Sequence, residues 1–168
     1  APLAEVRGPL PGSVVLRNET AAVTARFRRA ERLLVLFHRV RVAPSLEDIN
    51  EVLRRKRQAL AAAVAAYQTV QTAGVGQARA AALFRSAAMF HHLAEALAFD
   101  SPSELLPSAA QRLRRELQAE SIGYLRRALA LYRSVADLPE AAEPWTRLAS
   151  HEANLLAAVL KSPARRGR

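Results

Sequence analysis

One sequence phrase occurs twice, and it limits the folds available to the chain. Residues 60–70 read LAAAVAAYQTV and residues 125–135 read LRRALALYRSV. In both copies an alanine (Ala63 or Ala128) stands four residues before a tyrosine, and a valine follows the tyrosine by three. Residues three and four apart lie on the same side of an α-helix, so each copy predicts a helix with one contact face. Repeated helices of this kind bury their faces against their neighbours.

The amino-acid composition favours an all-α fold. The 168 residues are 51% hydrophobic but only 5% aromatic, so Ala, Leu and Val must fill most of the interior. These small side chains favour helices that approach closely over a sandwich of sheets. The length suits one folded unit, and the six glycines and nine prolines fall mostly between periodic stretches.

Helix-breaking residues divide the chain into three parts. Residues 1–19 contain the run GPLPGS and are predicted to form an extended N-terminal arm. Residues 20–161 form the predicted helical domain, and residues 162–168 a flexible basic tail. Apolar periodicity and capping signals predict five helices in the domain. They cover about 20–42, 46–73, 77–99, 104–135 with a possible break at 106–107, and 145–160.

The net charge of +10 is compatible with binding to nucleic acid, anionic lipid or an acidic protein surface. The arginines are spread over nearly every predicted helix, however. The densest internal run, residues 54–57, fans around its helix close to the acids at 47, 48 and 51. We therefore interpret the charge mainly as a solvated basic surface, with binding to nucleic acid or an anionic membrane as the alternative.

No sequence pattern indicates an enzyme. The chain has no cysteine, which excludes disulfides, thiolate metal sites and a cysteine nucleophile. No glycine-rich elbow, phosphate loop or paired-acid motif accompanies the serines within the helical patterns. These serines are Ser86, Ser121, Ser134 and Ser150. An acidic cluster of Asp137, Glu140 and Glu143 suits a loop and a helix start.

The histidines are the strongest candidates for metal ligands in the sequence. His91 and Glu95 have the i, i+4 spacing from which one helix can present two ligands. His92 points about 100° away from His91 on a helix, and no nearby segment supplies a third ligand. We therefore predict no metal site and no cofactor.

The helix that opens at Trp145 resembles the first helix of a tetratricopeptide repeat (TPR). In that family a large apolar residue is followed three positions later by leucine and then by a small residue, as in Trp145, Leu148 and Ala149. The small residue lies where the partner helix crosses, because a bulky side chain there would hold the backbones apart. Residues 83–90 carry a similar phrase, and residues 28–33 a weaker one.

The crossing alanines of these three phrases, Ala30, Ala87 and Ala149, are 57 and 62 residues apart. Ordinary TPR units have 34 residues, so the hairpins of this chain are elongated. The chain resembles the repeats of large deltaproteobacterial (myxobacterial) envelope proteins, whose best-known members belong to gliding-motility machinery. The matching phrases include residues 44–46, 59–60, 66–67, 81–85 and 145–147.

The resemblance implies a right-handed solenoid of TPR-like hairpins with the helix order A-B-A-B-A. In TPR proteins the A helices line a concave groove that grips a peptide or helical segment of another protein. The residues that would face this groove are Phe27, Glu31, Phe84, Ala88, His91, Thr146 and Ser150. Those that would pack the repeats together are Ala30, Ala63, Tyr67, Ala87, Phe90, Ala128, Tyr132, Trp145, Leu148 and Ala149.

The function implied by the resemblance is a non-catalytic scaffold or adaptor in a bacterial multiprotein complex of the cell envelope. The expected compartment is the periplasm, with the cytoplasm as the alternative. The unpaired fifth helix also suggests self-association. The chain opens with Ala-Pro-Leu rather than Met, which predicts a processed protein or an excised fragment. It has no apolar run near the ~20 residues that would span a bilayer.

Overall fold

The fold is all-α, as the sequence predicts. In the computed structural model, the residues described are 16–17, 19–42, 49–99, 107–138 and 144–162. Five helices account for most of these residues, and the same ranges contain no strand. The helices are α1 (Ala21–Arg39), α2 (Ile49–Ala73), α3 (Gly76–Phe99), α4 (Pro107–Ala136) and α5 (Trp145–Lys161).

Local chemistry sets several helix ends. The Thr20 hydroxyl accepts a hydrogen bond from Val23 N at 3.3 Å and caps α1. The first helix ends at Arg39, earlier than predicted, because the backbone at Val40 is extended. Pro107 is the first described residue of α4, where its missing N–H has no intrahelical partner to lose, and the predicted start at 104 lies outside the described residues.

The turn between α2 and α3 depends on glycine. Gly76 has a φ of 46°, a left-handed conformation that side chains with a Cβ disfavour. A Cβ at Gly74 would lie 2.8 Å from the carbonyl oxygen of Val70. The Glu19 carboxylate accepts a hydrogen bond from Val75 N at 2.8 Å and holds this turn against the start of the domain. The helix α2 therefore ends at Ala73, directly before Gly74, as the sequence predicts.

The predicted terminal segments are only partly described. Near the end of the arm, Glu19 N donates to Leu16 O at 3.1 Å in a turn, and Leu16 packs against the core. This part of the arm is therefore not extended, because Leu16 gains apolar contact by folding back. The rest of the arm, the predicted start of α2 at residue 46 and the tail at 163–168 lie outside the described residues.

The helices form two layers. Each helix contacts its neighbours in the chain, and α3 also contacts both α1 and α5. Over the ranges described, the backbones of α2 and α4 are not in contact with each other. Their side chains do meet, since Arg57 Nε and Nη2 lie 2.8 and 2.6 Å from the two Glu120 carboxylate oxygens. The odd-numbered helices therefore make one layer, and α2 and α4 make the other.

The two copies of the duplicated phrase pack in the same way. The alanine, tyrosine and valine of each copy have no exposed surface. Phe27 packs edge-on against Tyr67 with ring centroids 6.1 Å apart, and Phe84 packs likewise against Tyr132 at 5.3 Å. Of the ten residues predicted to pack the repeats, nine are buried and Leu148 is half-buried against the core.

Candidate functional site

The structure divides the seven residues predicted to line a groove into two sets. Phe27, Phe84 and His91 are at most 5% exposed, so the prediction is corrected for these three. They face the core because the neighbouring helices cover them with aromatic side chains. The residues that retain exposed surface are Glu31, Ala88, Thr146 and Ser150.

Glu31 connects three helices. Its Oε1 accepts a hydrogen bond from the Tyr67 hydroxyl on α2 at 2.5 Å and lies 3.3 Å from Arg85 Nε on α3. Burial, reinforced by the Glu31 carboxylate, raises the pKa of the Tyr67 hydroxyl, which therefore stays protonated. This arrangement gives Glu31 a structural role at the edge of the predicted groove.

Ala88 and Ser150 occupy positions equivalent to Glu31 in the sequence repeat, since they follow the crossing alanines Ala87 and Ala149. Ala88 and Thr146 are partly buried, and Ser150 is exposed. The Ser150 hydroxyl donates to Thr146 O at 2.8 Å within its own helix. Because these three side chains are small, they protrude little from the layer of odd-numbered helices.

His91 joins α3 to α5 at a buried polar contact. Its Nδ1 lies 3.6 Å from Glu152 Oε2, and its Nε2 lies 3.5 Å from Glu95 Oε1. Glu152 is only 3% exposed. The sequence pattern anticipated Glu95 but missed Glu152, which comes from a distant part of the chain. No group of three or more metal-ligating side chains occurs within the described ranges.

The serine hydroxyls bond to helix backbone. Ser86, Ser134 and Ser150 each donate to the carbonyl four residues earlier. Ser121 donates instead to Ala94 O on α3, at 2.8 Å, and so links α4 to α3. Of the predicted acidic cluster, Asp137 follows α4 in a turn, and Glu140 and Glu143 lie outside the described residues.

Lys56 is the main polar residue that the sequence interpretation missed. It is 2% exposed, and its Nζ donates to Phe37 O at 2.6 Å and lies 3.8 Å from the centre of the Phe37 ring. Phe37 O belongs to the last turn of α1, where carbonyls lack intrahelical partners and a cation is favoured. Lys56 lies three residues after Leu53 and four before Leu60, both of which are buried. This helical spacing was the sequence signal that Lys56 lies on the buried side of α2.

A cavity of about 440 Å³ opens beside Lys56 at the ends of α1 and α3. Its lining includes His38, Arg41, His92 and Glu95, and the two imidazole rings meet edge-on at 4.8 Å. Burial lowers the pKa of Lys56 to about 8. The lining therefore combines cationic, imidazole and carboxylate groups.

The lowered pKa predicts that the protein becomes more stable between pH 8 and pH 10. An unfolded chain holds the lysine proton up to a pKa near 10.5, whereas the folded chain releases it near 8. Raising the pH in this window therefore favours the folded state, by about 2 kcal/mol. Above pH 10 the raised pKa values of Tyr67 and Tyr124 act in the opposite direction.

Urea denaturation at several pH values would measure this effect. The variant Lys56→Met keeps a long apolar side chain without the titrating amine, so its stability should change little over the same window. An equal rise in both proteins would show that another group is responsible.

The outward side of α1 is strongly basic. We define the basic α1 face as Arg28, Arg29, Arg32, Val35, Leu36 and Arg39, all of which are exposed. Val35 and Leu36 are 51% and 49% exposed, respectively. The single acid of α1, Glu31, is engaged with Tyr67 and Arg85. This face therefore presents four guanidinium groups and two aliphatic side chains without a carboxylate.

Comparisons with protein-family models, curated proteins and solved structures return no match to this chain. In the part of the chain that is described, no helix combines the length and apolar character that crossing a membrane would require.

Proposed function

We propose that this chain is a non-catalytic protein-interaction module, a TPR-like scaffold or adaptor that serves a bacterial multiprotein complex of the cell envelope. The observation that supports it best is the layer formed by α1, α3 and α5. A stack of helical hairpins has two layers, one made of the first helices and one of the second helices. The layer in which successive helices contact each other is the more closely spaced of the two, and it lies on the concave side of the stack. That layer carries the exposed surfaces of Ala88, Thr146 and Ser150.

The corrected groove differs from the one that the resemblance implies. The large side chains Phe27 and Phe84 are part of the core, and the small residues Ala88, Thr146 and Ser150 supply exposed surface on α3 and α5. Small residues allow a partner helix or extended peptide to approach the backbone closely. The proposed partner is therefore a protein segment that lies across the odd-numbered helices.

A bulky charged side chain at Ala88 should block this surface. We expect Ala88→Arg to weaken capture of the natural partner from an extract of the source organism by at least about ten-fold. Ala65→Arg is the matched control, because Ala65 is exposed on α2 in the other layer. Quantitative pull-down with each variant would measure the effect, and equal capture by both would place the binding surface elsewhere.

The second candidate is a basic module that binds nucleic acid or an anionic membrane surface. The net charge of +10 and the basic α1 face favour it. Binding of this kind depends on counterion release and weakens steeply with salt. Affinity for a DNA duplex or anionic vesicles that persists near 0.15 M salt would support this candidate over the protein scaffold.

A further inference from the structure

The arginines of the basic α1 face have no carboxylate partner in the described part of the chain. Elsewhere, Arg54 pairs with Glu51, Arg57 with Glu120 and Arg85 with Glu31. No ion pair among the described residues involves Arg28, Arg29, Arg32 or Arg39. Like charges on one face repel each other, and a surface of opposite charge would relieve that repulsion.

The face has a regular geometry. At 100° per residue, Arg28, Arg32 and Arg39 fall within about 40° of the helix circumference. With a rise of 1.5 Å per residue, this row is about 17 Å long. Val35 and Leu36 lie on opposite sides of the row. The complementary surface is therefore a row of carboxylates flanked by apolar side chains.

The aliphatic side chains favour a protein as the occupant over a nucleic acid. Val35 and Leu36 are two of the five large hydrophobic residues that are substantially exposed in the described ranges. A phosphate backbone offers them no apolar contact, and single-stranded nucleic acids are bound through aromatic stacking, which this face does not provide. Membrane-surface helices bury a large apolar face, whereas the apolar side of α1 is already in the core.

We propose that the basic α1 face docks an acidic amphipathic helix of another protein. Carboxylates of that helix pair with Arg28, Arg32 and Arg39, and its aliphatic side chains cover Val35 and Leu36. A helix matches the row because residues four apart on it repeat at nearly the distance that separates Arg28 from Arg32. The proposal rests on the protein-interaction function but places this partner on a different surface from Ala88.

The test uses a synthetic helical peptide with glutamates four residues apart on one face and leucines beside them. Its control is a peptide of the same composition in scrambled order. At about 0.15 M salt, we expect the full chain to bind the ordered peptide at least about ten-fold more tightly than the scrambled one. Isothermal titration calorimetry would measure both affinities.

Two variants with the same change in net charge localise the binding. Arg28→Glu/Arg32→Glu should lose about ten-fold or more in affinity, whereas Arg126→Glu/Arg133→Glu, on exposed positions of α4, should stay within about two-fold. Leu36→Asn should weaken binding without a change in charge. Thermal denaturation of each variant would verify that it remains folded.

Several outcomes would overturn the proposal. These are no binding of the ordered peptide, equal binding of the scrambled peptide, an equal loss in the α4 variant, or tighter binding of a DNA duplex or phosphatidylserine vesicles. Failure here, with capture of the natural partner still sensitive to Ala88→Arg, would reject the α1 docking surface alone. Loss of both effects would also reject the protein-interaction function.

Discussion

Phe84→Ala is expected to lower the free energy of unfolding by about 3–5 kcal/mol. Phe84 is 4% exposed, and its ring lies 5.3 Å from both the Tyr132 and Trp145 rings. Truncation would remove apolar contacts with two helices, α4 and α5, and leave a cavity between them. Since domains of this kind have a total stability of about 5–15 kcal/mol, the change is a large part of the whole. Urea denaturation would measure it.

The matched control is Val75→Ala. Val75 is 60% exposed in the turn between α2 and α3, so its truncation should change stability by no more than about 0.5 kcal/mol. The experiment separates a core role for Phe84 from the groove role suggested by the resemblance. Unchanged stability together with lost partner binding would restore Phe84 to the groove.

Ala128→Leu is expected to destabilise the protein by about 1–3 kcal/mol. Ala128 lies on α4 in the second copy of the duplicated phrase and has no exposed surface. Added carbon atoms at this position must displace a packed neighbour or move α4, because helix interfaces are as dense as crystals of small organic molecules.

The control for this prediction is two residues away on the same helix. Ala130 is exposed, and alanine and leucine have similar helix propensities, so Ala130→Leu should have a small effect on the urea midpoint. A comparable loss in both variants would indicate a change in the helix itself rather than in its packing. Tolerance of Ala128→Leu would mean that close approach is not required there.

The helices could be predicted well because their signals are local. Apolar periodicity and the glycines at 74 and 76 act within a few residues, and the helix ends predicted near residues 20, 73 and 77 agree with the structure to within one residue. The first helix ends at Arg39, earlier than predicted, because the backbone at Val40 is extended. The hydrogen bond that Phe37 O accepts in its last turn comes from Lys56, 19 residues away, and no local signal predicts it.

The candidate site was less predictable, because exposure depends on which helices meet. Phe27 and Phe84 occupy A-helix positions that the resemblance assigned to a groove, yet both are buried against the tyrosines of the duplicated phrase. Lys56 was assigned to a solvated charged run, although its spacing from Leu53 and Leu60 matched the buried side of α2. Glu152, the buried partner of His91, was missed in the same way, although it lies three residues after Ala149 and four before Leu156, both of which are buried.

The sequence by itself determined the all-α class, the five helices found in the described ranges and the face of each duplicated helix that is buried. These features follow from helical periodicity and from backbone preferences of single residues. Only the tertiary structure decided which polar groups are paired. Glu31 was drawn into contact with Tyr67 and Arg85, whereas the arginines of the basic α1 face remained exposed. The physical reason is that desolvation and ion pairing depend on groups brought together from distant parts of the chain.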